Sequence, residues 1–245
     1  MARELAMSEL KAYHLPGRWG LVTVSPFCLK LDAFMRMTNL PHESLTAATP
    51  FGGPKKKAPW ITHKGRKIGD SAIIIDYLKE TFGVDPDAHL DASQRGIARA
   101  IQRLVEENLY WAMVYDRWQR PSNWPILTGS VLGDIPLPIR MVLAPIARRG
   151  VAKQLAGHGM GLHAEHEIED IARGDIDALA GILGDQEWFL GNQPSMADAT
   201  VYSLLANIIY VPFASPMNAM IEGHRNLRAF LDRFRARFYP EEVSD

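Results

Sequence analysis

The chain has 245 residues, 47% hydrophobic and 22% charged, a globular composition long enough for one large domain or two small ones. Its formal net charge of -1 gives no overall reason to bind nucleic acid or an anionic membrane, so any basic binding site must be local. A single cysteine excludes an intramolecular disulfide framework and a cysteine-rich zinc site. Because the first ten residues also lack the apolar run of a secretory signal, we expect a cytoplasmic protein.

The first third of the chain alternates strand-like segments with two helices. In order, the pattern predicts a strand (10–15), a helix (from Ser25 to about Asn39), a strand (43–45), a hairpin (59–62 and 66–68) and a helix opened by Asp70 and Ser71. A strand, helix and strand joined by so short a crossover imply a parallel pair with a right-handed connection. The hairpin turns at Lys64-Gly65.

Beyond a cluster of Gly, Pro and Asp at 83–91, only helical periodicity is found, which predicts a domain boundary there. We therefore assign residues 1–84 to an α/β domain and residues 85–245 to an all-helical domain. The predicted helices cover approximately 97–118, 162–183, 195–210 and 216–238. Between the first two lies an apolar segment, 126–147, whose prolines and charges argue against a membrane-spanning helix.

The stretch at residues 25–31, Ser-Pro-Phe-Cys-Leu-Lys-Leu, combines a helix start with reactive side chains. Ser25 is a favoured N-cap residue and Pro26 suits the first helical position. Ser25 and Cys28 then lie in the first turn, where unpaired N–H groups and the helix dipole favour an anion and ease ionisation of a thiol. The same pattern also fits a helix that is only well capped.

Four local features together resemble the thioredoxin-like half of the glutathione S-transferase superfamily. They are the helix start at 25–28, Ala58-Pro59 before the third strand, the Lys64-Gly65 hairpin, and Gly69-Asp70-Ser71 opening the last helix. The stretch 189–199, with its Gly, Pro and Asp leading into an apolar helix, resembles the second domain of that family. Residues 25–31, 57–61 and 157–161 point further, to the metaxin-like and failed-axon-connections-like branch.

This resemblance implies a fold and a set of glutathione-binding residues. The fold is α/β plus all-α, with an N-terminal thioredoxin-like domain (βαβ-ββα) followed by an all-helical domain. Ser25 would ionise the thiol of glutathione, the co-substrate, and Cys28 is the second candidate for catalysis. In the family a cis-proline precedes the third strand and an acidic-Ser pair takes the γ-glutamyl end of glutathione. The implied glutathione-binding residues are Trp19, Lys57, Ala58, Pro59, Asp70 and Ser71.

The implied activity is conjugation of glutathione to a small hydrophobic electrophile by a cytoplasmic homodimer in detoxification. Lys55, Lys56 and Lys57 could steer an anionic ligand or form a solvated loop. Tyr115 and Trp118 are candidates for the electrophile pocket. Two alternatives stay open: a non-catalytic metaxin-like binding or adaptor module, and a glutathione-dependent thiol reductase that uses Cys28. Arg18, Trp19 or Thr23 could also line the site in place of Ser25.

Two other groups of polar residues receive a structural interpretation. His163, His166, Glu167 and Asp170 have ligand-like spacing, but a solvated helix start looks the same, so we expect no metal site. Asp198 follows Ser195 by three residues and is interpreted as part of a helix cap.

Overall fold

The structure is a computed structural model that describes residues 9–47 and 49–242. Its first domain contains a four-stranded sheet in the order β2-β1-β3-β4. The elements are β1 (Lys11–His14), α1 (Pro26–Met37), β2 (Glu43–Thr46), a 3-10 turn (Pro50–Gly52), β3 (Trp60–His63), β4 (Arg66–Gly69) and α2 (Ser71–Phe82). β1 pairs parallel with β2 and antiparallel with β3, and β3 pairs antiparallel with β4. The predicted thioredoxin-like arrangement is confirmed.

Local side-chain chemistry sets the ends of the two helices. Ser25 caps α1 by accepting a hydrogen bond from the Cys28 N–H, and Pro26 occupies the first turn. Asp70 caps α2 by accepting from the N–H groups of the second and third residues of that helix. At the other end Gly83 takes a left-handed conformation, with φ 65, which terminates α2 at little steric cost.

The described part of the second domain contains helices and turns. They are α3 (Ala92–Arg103), a π-helical stretch (Leu104–Leu109), α4 (Tyr110–Trp118), a short turn (Trp124–Ile126), a second π-helical stretch (Leu127–Val131), α5 (Leu137–His158), a 3-10 turn (Met160–Leu162), α6 (Glu165–Leu183), α7 (Met196–Ile209), α8 (Pro216–Gly223), α9 (Arg225–Phe238) and a 3-10 turn (Pro240–Glu242). The helix predicted over 216–238 is broken at His224, whose extended backbone separates α8 from α9.

α5 is a helix that the sequence patterns did not predict. Its prolines suggested an irregular segment, but Pro138 lies in the first turn, where the missing N–H costs no hydrogen bond. Pro145 is accommodated inside the helix. No helix within the described ranges is both long and apolar enough to cross a bilayer.

Two hydrophobic cores correspond to the two parts of the chain. The smaller core consists of buried residues between Leu10 and Phe82, and the larger core is built on the helices of the second domain. α1 contributes to both, because Phe34 packs in the smaller core and Leu29 in the larger one. These cores support the division at residues 84 and 85, which stays a prediction. The helix that joins them most closely is α7, which is buried along almost its whole length and packs on α1.

A half-buried carboxylate on α6 makes stability depend on pH. Burial raises the pKa of Asp175 to about 6, against the opposing effect of a 2.8 Å hydrogen bond from the Asn108 Nδ2. The folded state therefore holds this proton more tightly than the unfolded chain does. Its stabilising contribution is complete below about pH 4 and is lost as the pH rises through about 6.

We expect Asp175→Asn to remove this pH dependence, because the amide oxygen still accepts from Asn108 but carries no charge. Relative to the wild type, the free energy of unfolding of the variant should rise by about 1 kcal/mol between pH 4 and pH 7, after allowance for the partial exposure of the site. Urea denaturation at four pH values measures the difference. A constant difference across that range would contradict the assignment.

Candidate active site

A cleft of about 570 Å³ lies between the two domains. The lining residues from the first domain are Leu15, Ser25, Phe27, Pro50, Lys55, Lys56, Lys57, Ala58, Pro59, Asp70, Ser71 and Ala72. The lining residues from the second domain are Arg103, Glu106, Glu107, Tyr110, Trp111, Val114, Trp118, Val151 and Gln154. The first wall thus contains the N-termini of α1 and α2 and several polar side chains, whereas the second combines aromatic side chains with charged ones.

Ser25 faces the cleft at the N-terminus of α1. Its Oγ accepts a 3.4 Å hydrogen bond from the Cys28 N–H, and that bond does not use the hydroxyl proton. The Ser25 N–H itself donates to the Thr23 Oγ1 over 3.4 Å. The side chain is therefore held at the helix end, where the dipole favours negative charge close to the hydroxyl.

Cys28 does not line the cleft. Its side chain is only 1% exposed, and burial raises the pKa of its thiol, although hydrogen bonds with Ser25, the backbone of Leu15 and Thr23 act in the opposite direction. A buried thiol with a raised pKa is a poor nucleophile. Cys28 lies one helical turn after the capping serine, and its side chain points into the domain.

Asp70 and Ser71 lie at the N-terminus of α2 on the same side of the cleft. The Asp70 Oδ1 accepts from the N–H groups of Ala72 at 3.0 Å and Ile73 at 3.4 Å. Its Oδ2 lies 3.6 Å from the Lys55 Nζ and is accessible from the cleft. Asp70 also has a φ of 86, a conformation that is costly outside glycine and tends to occur at functional sites.

Ala58 and Pro59 enter the cleft just before β3, and the peptide bond between them is cis. This is the bond geometry that the family resemblance implies. The lysines at 55, 56 and 57 also line the cleft, so this side carries positive charge as well as the Asp70 carboxylate. Such a mixture suits a ligand with both an ammonium group and carboxylates.

The π-helical stretch before α4 sets which side chains of that helix face the cleft. There the Tyr110 N–H bonds to the Val105 carbonyl, five residues back instead of four. A turn of this kind holds an extra residue and shifts the phase of the following helix. Arg103, which pairs with Glu107 at 2.5 Å, lies on the cleft side before that turn.

Three aromatic side chains, those of Tyr110, Trp111 and Trp118, line the helical wall. Phe27 of the first domain meets Tyr110 edge to face, with ring centroids 4.9 Å apart, and Trp111 stacks on His158 at 4.7 Å. Trp118 lines the cleft as predicted, but Tyr115 lies outside it, near Arg120 and Glu165. The spacing of 110, 111, 114 and 118 is the sequence signal that identifies the wall.

The loop before Ser25 lies apart from the cleft. Trp19 packs edge to face on Phe213 at 5.5 Å, and Arg18 forms a 2.5 Å ion pair with Asp134. Thr23 is buried beneath Ser25. Trp19 is therefore a packing residue and not a wall of the cleft, since the left-handed turn at Trp19 and Gly20 carries its ring toward the helical domain.

Arg117 anchors the end of this loop. Its guanidinium is 8% exposed and donates to the Val24 carbonyl over 2.9 Å, and it also bonds Asn207 of α7. Burial lowers its pKa to about 10, which leaves the group charged at neutral pH. The bond to Val24 fixes the backbone immediately before Ser25.

A buried ion pair joins the domains behind the cleft. Lys30 of α1 donates to Glu106 of the π-helical stretch, and both side chains are largely shielded from solvent. The second oxygen of Glu106 accepts from the Gln102 Nε2 at 3.0 Å. Because separating such a pair leaves uncompensated buried charges, it holds α1 against the helical wall.

No cluster of three or more His, Cys, Asp or Glu side chains suited to a metal ion occurs among the described residues. His163 instead lies 3.6 Å from Glu167, and Glu167 caps α6 by accepting from the Ala164 N–H.

Family models match both parts of the chain. The model described as glutathione S-transferase N-terminal domain matches residues 26–123, and the model described as glutathione S-transferase C-terminal domain matches residues 172–234. The chain belongs to the glutathione S-transferase superfamily. The predicted family membership is thereby confirmed.

Sequence relatives in this superfamily include a protein named as a transferase, Failed axon connections and metaxin-1. The isoprene-epoxide–glutathione S-transferase of Rhodococcus sp. (strain AD45) is 32% identical over 90% of this chain and 95% of that protein. Failed axon connections of Drosophila melanogaster is 29% identical over 90% of this chain, which spans only 56% of that protein. Metaxin-1 of Macaca fascicularis is 28% identical over 91% of this chain and 73% of that protein. The predicted branch is confirmed as well.

Solved structures share the fold at low identity. The β-etherase LigF of Sphingobium sp. strain SYK-6 superposes with a TM-score of 0.65 at 19% identity, covering 96% of this chain and 98% of that one. A glutathione S-transferase of Methylobacterium radiotolerans, solved with glutathione sulfonate, gives a TM-score of 0.64 at 17% identity, with coverage of 96% and 94%.

Proposed function

We propose that the protein is a glutathione transferase that binds glutathione on the first-domain wall of the cleft and conjugates its sulfur to a small electrophile. The observation that carries this proposal is the convergence of Ser25, the Ala58-Pro59 backbone and the Asp70-Ser71 helix end on one cleft. We also propose a cytoplasmic homodimer with a role in detoxification, on the strength of the family membership.

Ser25 is assigned the catalytic role of a hydrogen-bond donor. With its Oγ accepting from the helix N–H, its proton can be directed at the sulfur of glutathione. A bond that forms to the thiolate and is weaker to the thiol lowers the pKa of that thiol. The thiol proton goes to solvent, and the sulfur then attacks the electrophile. With an epoxide, the new C–S bond forms as a ring C–O bond breaks, and the ring oxygen takes a proton from solvent.

The peptide part of glutathione is assigned to the residues around α2 and β3. The Asp70 carboxylate pairs with the γ-glutamyl ammonium, while Ser71 and the N–H groups of the helix end receive the adjoining carboxylate. The backbone of Ala58 bonds the cysteinyl residue as an added strand. Lys57 lies beside this contact and attracts the terminal carboxylate.

The electrophile is assigned to the aromatic wall. Phe27, Tyr110, Trp111 and Trp118 give the cleft an apolar surface, which suits a small hydrophobic molecule. Because the Rhodococcus relative is named for an isoprene epoxide, epoxides are the first class to assay.

A binding or adaptor module is the second candidate, favoured by the similarity to Failed axon connections and metaxin-1 over nine-tenths of the chain. Experiment can distinguish this candidate from the transferase, because a binding module needs neither glutathione nor an ionised thiol. A thiol reductase finds less support, since Cys28 is buried and its pKa is raised.

Titration calorimetry of glutathione into the wild type and Asp70→Asn tests the proposal. Asparagine keeps the capping oxygen and tolerates a positive φ, so the helix end survives while the charge is lost. We expect the dissociation constant to rise about tenfold. This is the low end of the effect of losing a hydrogen bond to a charged group, because the site is half-exposed.

Asp76→Asn is the matched control, because Asp76 is exposed on the same helix but lies outside the cleft. It should bind glutathione like the wild type. Absence of heat with the wild type itself would reject the transferase and leave the binding module as the better interpretation.

A further inference from the structure

The first half of α5 carries apolar side chains that are exposed to solvent. Ile139 is 52% exposed, Val142 62% and Ile146 56%, with Leu143 beside them. Their spacing of three and four residues places them in one line along the helix, which we call the α5 stripe (Ile139, Val142, Leu143 and Ile146). A contiguous exposed apolar patch of this kind is unusual in a protein that has no partner for it.

The α5 stripe points away from the protein. The side of α5 that packs inward is marked by Ala144, 4% exposed, and Leu155, 1% exposed, although in the first two turns Leu137 and Met141, close to that side, are exposed too. At about 100° per residue, Ile139, Val142 and Ile146 lie roughly opposite that buried line. The stripe therefore contributes nothing to the core, and its exposure is not explained by the fold.

The charges of α5 all have one sign. Its 22 residues contain Arg140, Arg148, Arg149 and Lys153 and no Asp or Glu. Arg148 is engaged with the Gln119 carbonyl. Arg149 and Lys153 are exposed, form no ion pair within the described part of the chain, and continue the stripe by one and two turns.

We propose that the outward face of α5 binds the surface of an anionic lipid membrane. The α5 stripe would enter the boundary between headgroups and acyl chains, while Arg149 and Lys153 pair with anionic headgroups. The apolar side chains of this face match the acyl chains of the membrane, and the cations that follow them match its anionic headgroups. The nearly neutral net charge of the chain makes this a local contact.

A contact between the α5 helices of two copies of the chain fits this face less well. Two α5 helices packed together would bring only cations to the contact, because neither supplies a carboxylate. An anionic bilayer offers negative charge and an apolar phase together. The proposal does not depend on glutathione binding, since the residues of α5 that line the cleft are Val151 and Gln154, which are not in the stripe.

Vesicle flotation tests the proposal with full-length protein. Vesicles of phosphatidylcholine with 30% phosphatidylserine, a composition of the order found in anionic leaflets, are compared with pure phosphatidylcholine. We expect the wild type to float with the anionic vesicles only, and less at high salt. The double variant Ile139→Gln/Ile146→Gln and the double variant Arg149→Gln/Lys153→Gln should each bind at least tenfold more weakly.

Circular dichroism and glutathione titration on both double variants establish that each is folded. Equal flotation of wild type and variants, or no flotation of the wild type, overturns the proposal. Analytical ultracentrifugation supplies the remaining outcome: a wild-type dimer that Ile139→Gln/Ile146→Gln dissociates would show that the stripe is covered by a second copy, and would also overturn it.

Discussion

Ser25→Ala is expected to lower kcat/KM for conjugation of glutathione by roughly 100-fold, the usual loss when one donor to a developing or stabilised anion is removed. Without the hydroxyl, the thiol of bound glutathione should titrate closer to its free value, so the pH profile of kcat/KM should move to higher pH. Ser25→Ala also removes the cap of α1, at about 0.5 to 2 kcal/mol, and kinetics must be measured well below its melting temperature.

Two variants separate catalysis from capping. Ser25→Thr keeps a hydroxyl and an N-cap side chain, and should retain most of the conjugation activity. Cys28→Ala removes a buried thiol outside the cleft and should cost only stability. If Cys28→Ala abolished activity while Ser25→Ala preserved it, the roles assigned to these residues would have to be exchanged.

Asp198→Ala is expected to be the most destabilising single substitution proposed here. Its Oδ1 accepts from the Phe189 N–H, and its Oδ2 accepts from both the N–H and the Oγ of Ser195, each at 2.8 Å. The side chain is fully buried. Alanine would leave three donors without acceptors in the core, so we expect a loss of about 3 to 5 kcal/mol in the free energy of unfolding.

This loss exceeds the 0.5 to 2 kcal/mol that capping alone would give. Urea denaturation at pH 7 measures it. Asp198→Asn keeps one acceptor oxygen, but its amide group would meet a donor, so an intermediate loss is expected. A loss below 1 kcal/mol for Asp198→Ala would show that Phe189 and Ser195 find other acceptors.

The features that the sequence predicted well are those with local causes. The start of α1 follows from Ser25 and Pro26, and the start of α2 from Asp70, because capping depends on a few neighbouring atoms. The hairpin at Lys64 and Gly65 follows from turn chemistry in the same way. Most of the first-domain wall was identified through these local features and the family resemblance they carry.

The features that it missed depend on packing between distant segments. Helical periodicity cannot show how α4 docks against the first domain, so Tyr115 and Trp118 were treated alike although only Trp118 lines the cleft. The turn that carries Trp19 toward Phe213 depends on contact with the helical domain. α5 was missed because its prolines suggested an irregular segment, although one lies in the first turn and the other is accommodated inside the helix.

The wide turn at Leu104–Leu109 has a consequence for how this cleft can change during evolution. An ordinary α-helical turn there would contain one residue fewer and would rotate the following helix by about 100°. Deleting one residue would thus withdraw several aromatic side chains from the cleft together and present others, with no substitution at all. A single codon gained or lost in this turn would therefore change which side chains line the helical wall.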